Sequence, residues 1–301
     1  MIAVAQFPNA GRRFSRGWCV SSALNCRRLS LCLQTSFWAR CLAVVEIEGL
    51  MRSVIDCVYV KLPVMYRWGD PGIIRLKGDV AALQVGDLSG RVLLYCHGNG
   101  EDCCSSRYLF EELAAQGLSV LSVDYRGYGL SGGRFSEKGC SEAAHSGYDW
   151  LLAQGKRPSD IVAWGYSLGS CSAIELAATK EVGGLILQTP FYSGYRFARF
   201  HAQRWSRRWG WLVMLVCLLL GGRAFPSVRF ARRVRCPVLV FHGTMDSVVP
   251  YADGKELFDC IDSENKRLIT VPGGGHNDFQ MVMGWAKYVN EIVGFVKSSI
   301  S

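Results

Sequence analysis

The sequence predicts an α/β protein in which a mostly parallel sheet is covered by helices on both faces. Two observations support this prediction. Short apolar, β-branched runs alternate with longer helix-compatible stretches, and polar or glycine-rich loops directly follow several of the apolar runs. The chain of 301 residues is long enough for one domain of about 230 residues with an ample core, together with an extension.

The predicted elements follow one another along the chain. Early antiparallel strands are predicted at 73–76 and 80–85, and buried strands at 91–96, 118–123, 161–164, 184–188, 237–243 and 267–271. Helices are predicted at 108–116, 137–154 and 254–260, and one long helix at 279–297. Ser136 suits a helix N-cap, while Gly117 and Gly155 are stop signals for the first two helices.

The strand at 161–164 ends abruptly in Gly165-Tyr166-Ser167-Leu168-Gly169, and a small-residue, helix-compatible stretch follows. A serine at the apex of such a tight turn has a strained backbone, and only glycines two residues before and after it leave room for the strand and helix to approach. The turn exposes the Ser167 hydroxyl and places the Leu168 N–H at a helix N-terminus, where it can donate to an anion. This pattern favours Ser167 as a nucleophile over an ordinary small turn residue.

A serine nucleophile needs a base and an orienting acid, and in this type of turn they follow in the order serine, acid, histidine. Asp246 follows the strand at 237–243, and His276 follows three glycines after the strand at 267–271. Asp124 is the rival acid, but it precedes Ser167 and is expected to hold the Tyr125–Gly129 turn through backbone hydrogen bonds. His97 and His242 are expected to be structural or buried, and neither has the required position in the chain.

A fourth motif lies upstream, where His97-Gly98-Asn99-Gly100 follows the strand at 91–96. A His-Gly-x-Gly loop at this place can turn a backbone N–H toward the serine, and Asn99 is the candidate. Together with the N–H of Leu168 it would stabilise a developing oxyanion.

These motifs, in this order, resemble those of α/β-hydrolases. In detail, His97-Gly98-Asn99-Gly100, Asp124-Tyr125-Arg126-Gly127-Tyr128-Gly129 and the Ser167 turn resemble the α/β-hydrolase-domain-containing proteins that include membrane-associated protein depalmitoylases. The likeness covers roughly residues 70–299, although many relatives have alanine in place of Gly100, and residues 1–50 have no counterpart. The resemblance implies esterase or thioesterase chemistry without metal or organic cofactor, with Ser167, Asp246 and His276 as nucleophile, acid and base.

A segment from about 191 to 235 breaks the alternation and is expected to form a lid insertion. It mixes arginines with tryptophans and contains an uninterrupted apolar run from Trp211 to Leu220, too short to span a bilayer. Two interpretations stay open: a buried lid helix, or a lid helix that lines an acyl pocket and also contacts a membrane surface. Phe191, Trp211 and Leu215 are the candidate substrate-binding residues. No nucleic-acid module accompanies the basic residues, so a nucleic-acid partner is not expected.

The formal net charge of +9 is concentrated in this insertion and in the first fifty residues, which have no Asp or Glu before Glu46. We therefore separate a basic extension, 1–50, from a hydrolase domain, 51–301. The extension is compatible with a mitochondrial-type transit segment, a disordered basic anchor, or translated sequence upstream of a start at Met51. Thirteen cysteines without metal spacing indicate a reducing, intracellular compartment, cytoplasmic or membrane-associated.

The predicted function is a serine hydrolase acting on an ester or thioester of an apolar acyl group. A serine peptidase of the prolyl-oligopeptidase type shares this fold and catalytic residues and is the main alternative. A non-catalytic hydrolase-fold binding protein is the other alternative. The oligomeric state is left open by the sequence.

Overall fold

The computed structural model describes residues 64–205 and 224–298, of which 202–205 by backbone alone. The predictions for residues 1–50, Trp211 and Leu215 lie outside these ranges. The strands are β1 (Ile73–Leu76), β2 (Val80–Val85), β3 (Val92–Cys96), β4 (Ser119–Val123), β5 (Ile161–Tyr166), β6 (Gly184–Gln188), β7 (Val238–Gly243) and β8 (Lys266–Val271).

The helices in the described ranges are α1 (Arg107–Ala115), α2 (Glu137–Ala153), α3 (Gly169–Thr179), α4 (Gly194–Trp205), α5 (Ser227–Ala231), α6 (Tyr251–Cys260), α7 (Phe279–Met283) and α8 (Trp285–Ser298). Ser136 caps α2, because its side chain accepts a hydrogen bond from Gly139 N–H. The predicted single C-terminal helix is wrong, since Gly284 has a φ of 92° and separates α7 from α8.

The strands form one eight-stranded sheet in the order β1-β2-β4-β3-β5-β6-β7-β8. β1 pairs antiparallel with β2, as predicted, and β2 pairs antiparallel with β4. All the remaining pairs are parallel, so β3 to β8 point the same way and present their carboxyl ends at a single edge. The predicted α/β class with a mostly parallel sheet is confirmed.

Apolar layers cover both faces of the sheet, because every residue of β3 to β7 is buried. One layer includes Tyr125, Ile174 and Leu257, and the other includes Phe110, Trp164, Phe241 and Phe279. Buried on both sides, the strands hold the loops at their carboxyl ends in a fixed arrangement. Within residues 64–205 and 224–298, no helix is long and apolar enough to cross a membrane.

Candidate active site

Ser167 stands on a sharp turn between β5 and α3 and has a φ of 49°, in the left-handed region that side chains rarely adopt. A Cβ at Gly165 would lie 2.5 Å from the carbonyl oxygen of Gly169, and one at Gly169 would lie 2.0 Å from the carbonyl oxygen of Cys96. Any larger residue at either position would force strand and helix apart. The two glycines therefore permit the turn that lifts the Ser167 side chain above the sheet edge.

A continuous line of hydrogen bonds links Ser167, His276 and Asp246. Ser167 Oγ lies 3.0 Å from His276 Nε2, and His276 Nδ1–H donates to Asp246 Oδ2 at 2.7 Å. The three residues come from the carboxyl ends of β5, β7 and β8, which the parallel sheet brings to one edge. This arrangement is able to withdraw a proton from the serine hydroxyl and to stabilise the resulting imidazolium.

Asp246 is held rigidly, and its side chain is fully buried. Its Oδ1 accepts hydrogen bonds from the N–H groups of Val248 at 2.8 Å and Val249 at 2.7 Å. A second histidine, His242, lies with Nε2 3.4 Å from Oδ2. Burial alone would raise the pKa of Asp246, but hydrogen bonds from His242 and His276 outweigh it and hold the pKa well below its ordinary value. The carboxylate is therefore ionised.

The loop that carries His276 packs directly on the loop that carries Asp246. A Cβ at Gly243 would lie 2.1 Å from the carbonyl oxygen of Gly274, which also accepts a hydrogen bond from Met245 N–H at 2.8 Å. The glycines before His276 thus bring two backbones into contact. Tyr166, next to the serine, supports the same loop, because its hydroxyl group donates to Asn277 Oδ1 at 2.5 Å.

The loop at 97–100 lies beside the Ser167 turn. β3 pairs with β5 in the register Cys96 to Gly165, so Asn99 and Ser167 lie a few residues beyond paired positions. The side chain of Asn99 accepts a hydrogen bond from the hydroxyl group of Tyr128 at 2.7 Å, and Gly98 N–H donates to Glu101 Oε2 at 2.8 Å. The loop is therefore fixed from two sides, while the role of the Asn99 and Leu168 N–H groups stays a prediction.

Asp124, the rival acid, lies in the interior behind this loop and is fully buried. Its Oδ1 accepts a hydrogen bond from Cys103 N–H at 2.7 Å and lies 3.4 Å from His97 Nε2, and its Oδ2 accepts from the Tyr66 hydroxyl group. The carboxylate packs against Gly129, but these hydrogen bonds tie down Tyr66 and Cys103 rather than the expected turn. Both partners are distant in sequence from Asp124, which is why the pattern of residues did not reveal them.

Phe191 is almost fully buried in a small apolar cluster with Cys171 of α3 and Val249, three residues beyond Asp246. Phe197 and Phe225 pack against it, with ring centroids 5.6 Å and 6.3 Å from that of Phe191. These phenylalanines come from the predicted lid segment, whose described part contains α4 and α5. The cluster therefore adjoins the Ser167 turn on one side and the Asp246 loop on the other, and substrate contact by Phe191 stays a prediction.

An open depression of about 380 Å³ lies beside His276 and is lined by Met245, Val248 and Asn277 among others. Among the described residues, no group of three or more His, Cys, Asp or Glu side chains is placed to hold a metal ion. The sequence did not reveal His242, Tyr166 and Glu101 as parts of the site. Of the three, Tyr166 and Glu101 had a usable signal, since Tyr166 lies within the Ser167 motif and Glu101 directly follows the His97–Gly100 motif.

The fold and this site define an α/β-hydrolase. The sequence profile of the family Hydrolase_4, described as serine aminopeptidase S33, matches residues 89–225 and 223–280. The chain belongs to this family, and the predicted membership of the α/β-hydrolase superfamily is confirmed. Ser167, Asp246, His276, Asn99 and Leu168 all lie within the matched ranges.

The chain is also similar to two curated proteins and, in fold, to a solved structure. An uncharacterized protein of Mycobacterium tuberculosis is 36% identical over 197 residues, which are 65% of this chain and 66% of that protein. The α/β hydrolase domain-containing protein aho-3 of Caenorhabditis elegans is 30% identical over 210 residues, 69% of this chain and 59% of that protein. The chain thus matches less than two thirds of the length of these relatives. The esterase Pf2001 of Pyrococcus furiosus has the same fold, with a TM-score of 0.63 at 18% identity over 81% of this chain and 99% of the esterase.

Proposed function

We propose that this protein is a serine hydrolase that cleaves carboxylic ester or thioester bonds of apolar acyl substrates. The observation that carries the proposal is the line from Ser167 Oγ through His276 to the buried, ionised Asp246, with distances of 3.0 Å and 2.7 Å. A hydroxyl group, an imidazole and a carboxylate in this order form a nucleophile, its general base and the group that orients the base.

In the proposed reaction His276 Nε2 takes the hydroxyl proton as Ser167 Oγ attacks the acyl carbon. Asp246 accepts the hydrogen bond from Nδ1–H, which fixes the tautomer of His276. Its negative charge stabilises the positive charge on the imidazolium. His276 then protonates the leaving alcohol or thiol. Water, activated by the same imidazole, releases the acyl group from Ser167 and restores the free enzyme.

The negative charge that develops on the carbonyl oxygen would be stabilised by the backbone N–H groups of Asn99 and Leu168. Leu168 directly precedes α3, so its N–H adds to the partial positive charge at the start of that helix. Asn99 is held in place by the Tyr128 hydroxyl group. A preorganised donor stabilises the transition state without reorganising during the reaction, which supports this assignment.

The apolar cluster around Phe191 supports an acyl substrate, because it adjoins both the Ser167 turn and the Asp246 loop. We extend this proposal to Trp211 and Leu215 of the lid as further acyl contacts, and to contact of the lid with a membrane surface. The similarity in fold to an esterase agrees with ester cleavage. We further propose an intracellular location.

A peptidase is the second candidate, because the matched family is described as serine aminopeptidase. The same three residues would cleave an amide through the same acyl-enzyme. The two candidates differ in the leaving group and in the surface that receives it, so a direct comparison of substrates separates them.

The test is labelling of the full-length protein with a fluorophosphonate probe. We expect labelling of the wild type and of Ser89→Ala, an exposed serine in the loop before β3, and none of Ser167→Ala. Ser167→Ala is expected to lower turnover by about 10⁴-fold or more, since the nucleophile itself is lost. Retained labelling or turnover in Ser167→Ala would exclude Ser167 as the nucleophile.

Competition with the same probe identifies the substrate class. p-Nitrophenyl esters and acyl thioesters of increasing chain length are compared with aminoacyl p-nitroanilides. Competition that improves with acyl chain length is the expected result. Competition by the anilides alone would favour the peptidase, and a folded wild type that takes no label would favour a non-catalytic binding role.

A further inference from the structure

Glu101 is a carboxylate placed under the proposed oxyanion loop. It follows the four residues of that loop, and its Oε2 accepts a hydrogen bond from Gly98 N–H at 2.8 Å. A Cβ at Gly98 would lie 2.9 Å from the Tyr166 ring and 3.2 Å from Glu101 Oε2. The carboxylate, the loop backbone and the Tyr166 ring are therefore in close contact, and the loop has no room to shift toward either neighbour.

The same carboxylate faces the base across Tyr166. The Tyr166 hydroxyl oxygen lies 3.2 Å from the carbonyl oxygen of His276, and the two rings are centred 5.6 Å apart. Glu101 and His276 interact electrostatically. The titratable groups that interact electrostatically with Glu101 include Tyr95, His97, Asp102, Tyr166, His276 and Tyr288.

We propose that Glu101 is a positioning residue for the hydrolytic reaction, which acts through the oxyanion loop and through His276. This inference rests on the proposed function. The hydrogen bond to Gly98 N–H fixes the peptide that leads into Asn99, so the Asn99 N–H is oriented before the substrate arrives. The negative charge of the Glu101 carboxylate stabilises the positive charge that His276 acquires in the transition state. Both effects are larger in the transition state than in the ground state, so they accelerate the chemical step.

The proposal has a consequence for the pH dependence. Burial raises the pKa of Glu101, and the Gly98 N–H and the nearby histidines lower it only in part. Protonation removes both the charge and part of the acceptor strength. Protonation of Glu101, at a pH above 4.5, the ordinary value for a glutamate, is therefore expected to lower activity on the acid side.

The test compares Glu101→Gln with Glu101→Asp and with Glu111→Gln. The glutamine keeps an acceptor oxygen for Gly98 N–H but has no charge. The aspartate keeps the charge but is too short for the same hydrogen bond. Glu111 is an exposed residue of α1, so its substitution is a matched control for the loss of one negative charge. Steady-state kinetics on a neutral p-nitrophenyl ester, over a range of pH, and thermal unfolding are measured for each variant.

We expect Glu101→Gln to lower kcat about tenfold, less than the 10²–10³-fold cost of losing a direct oxyanion donor, with KM within about twofold. The protonation step assigned to Glu101 should disappear from its pH profile. Glu101→Asp should keep that step and lose part of kcat, and Glu111→Gln should behave as the wild type.

A kcat and pH profile of Glu101→Gln that match those of Glu111→Gln would overturn the inference. If Glu101→Gln does not fold, Glu101→Asp decides, because wild-type kinetics in that variant contradict the role of the Gly98 hydrogen bond. Failure of the proposed function is distinguishable: a wild type that takes no fluorophosphonate removes the hydrolase and this inference together. A labelled wild type with an unaffected Glu101→Gln removes this inference alone.

Discussion

Two buried aspartates occupy comparable places on either side of the serine. Asp124 follows β4 and Asp246 follows β7, and each of these strands lies two strands away from β5 in the sheet. Each carboxylate also has a buried histidine ring nitrogen at 3.4 Å, from His97 and His242 respectively. Position, burial and a histidine neighbour therefore do not distinguish them.

The two carboxylates differ in the residues to which their hydrogen bonds connect them. Asp246 reaches Ser167 through His276, which the β8 loop supplies from the adjacent strand. The other contacts of Asp124 lead to Tyr66 and Cys103 in the interior. A buried carboxylate at this edge is thus able to orient the proposed base only where a neighbouring loop also brings a second histidine between the carboxylate and Ser167. Asp124 instead ties Tyr66 and the backbone of Cys103 together behind the loop at 97–100.

The largest effect is expected from a substitution of Asp246, the carboxylate that is linked to Ser167 through His276. Asp246→Asn should lower kcat by about 10⁴-fold, because the neutral amide neither holds the His276 tautomer nor opposes the imidazolium charge. The amide oxygen still accepts hydrogen bonds from Val248 and Val249 N–H, so the protein should fold. Ester turnover and circular dichroism, compared with Ser167→Ala, provide the measurement. Activity within tenfold of the wild type would mean that another group orients the base.

An intermediate effect, on stability, is expected from a substitution of Asp124. Asp124→Asn should lower the free energy of unfolding by about 1–3 kcal/mol, since a fully buried acceptor of hydrogen bonds loses its charge. The folded variant should keep turnover within about tenfold of the wild type. Urea denaturation and ester kinetics on the same preparation measure both quantities. A stable but inactive Asp124→Asn, beside an active Asp246→Asn, would reverse the assignment of the acid.

The smallest effect concerns acid stability. The pKa of Asp246 is depressed in the folded protein, so its ionised form stabilises the fold above the ordinary value of 3.8. That contribution is lost as the pH falls through the depressed pKa, by up to about 1.4 kcal/mol for each pH unit. Below pH 3.8, the free energy of unfolding of Asp246→Asn should therefore fall less steeply than that of the wild type. Parallel curves from urea denaturation at each pH would contradict this.

Much of the fold was predictable because its signals are local. Buried parallel strands are short apolar runs, and helix limits are marked by residues such as Ser136 and Gly117. The break at Gly284 was not predicted, because a single glycine within an apolar periodic stretch does not by itself end a helix. The site was also predictable from the positions of Ser167, Asp246 and His276 along the chain. Each follows a strand of the parallel sheet, and parallel strands align their carboxyl ends at one edge.

Partners that depend on packing between distant segments were not accessible from the sequence. His242, in β7, reads as an ordinary buried strand residue, although its Nε2 lies 3.4 Å from Oδ2 of Asp246, four positions further along the chain. Tyr66 reaches Asp124 across 58 positions of the chain, and Tyr166 reaches Asn277 across 111. No periodicity or spacing reports contacts of this kind.

A hydrogen bond joins α1 and α8, the helices that follow the Glu101 loop and the His276 loop. Trp285 Nε1–H, at the start of α8, donates to Glu112 Oε2 of α1 at 2.6 Å. α1 follows the loop that holds Glu101, and α8 follows the His276 loop after only the short α7. The hydrogen bond thus joins the two helices that follow these loops. If both helices help to position these loops, substitution of Trp285 by phenylalanine, which removes this hydrogen bond, is expected to lower the proposed hydrolytic activity although Trp285 lies outside the Ser167–His276–Asp246 line.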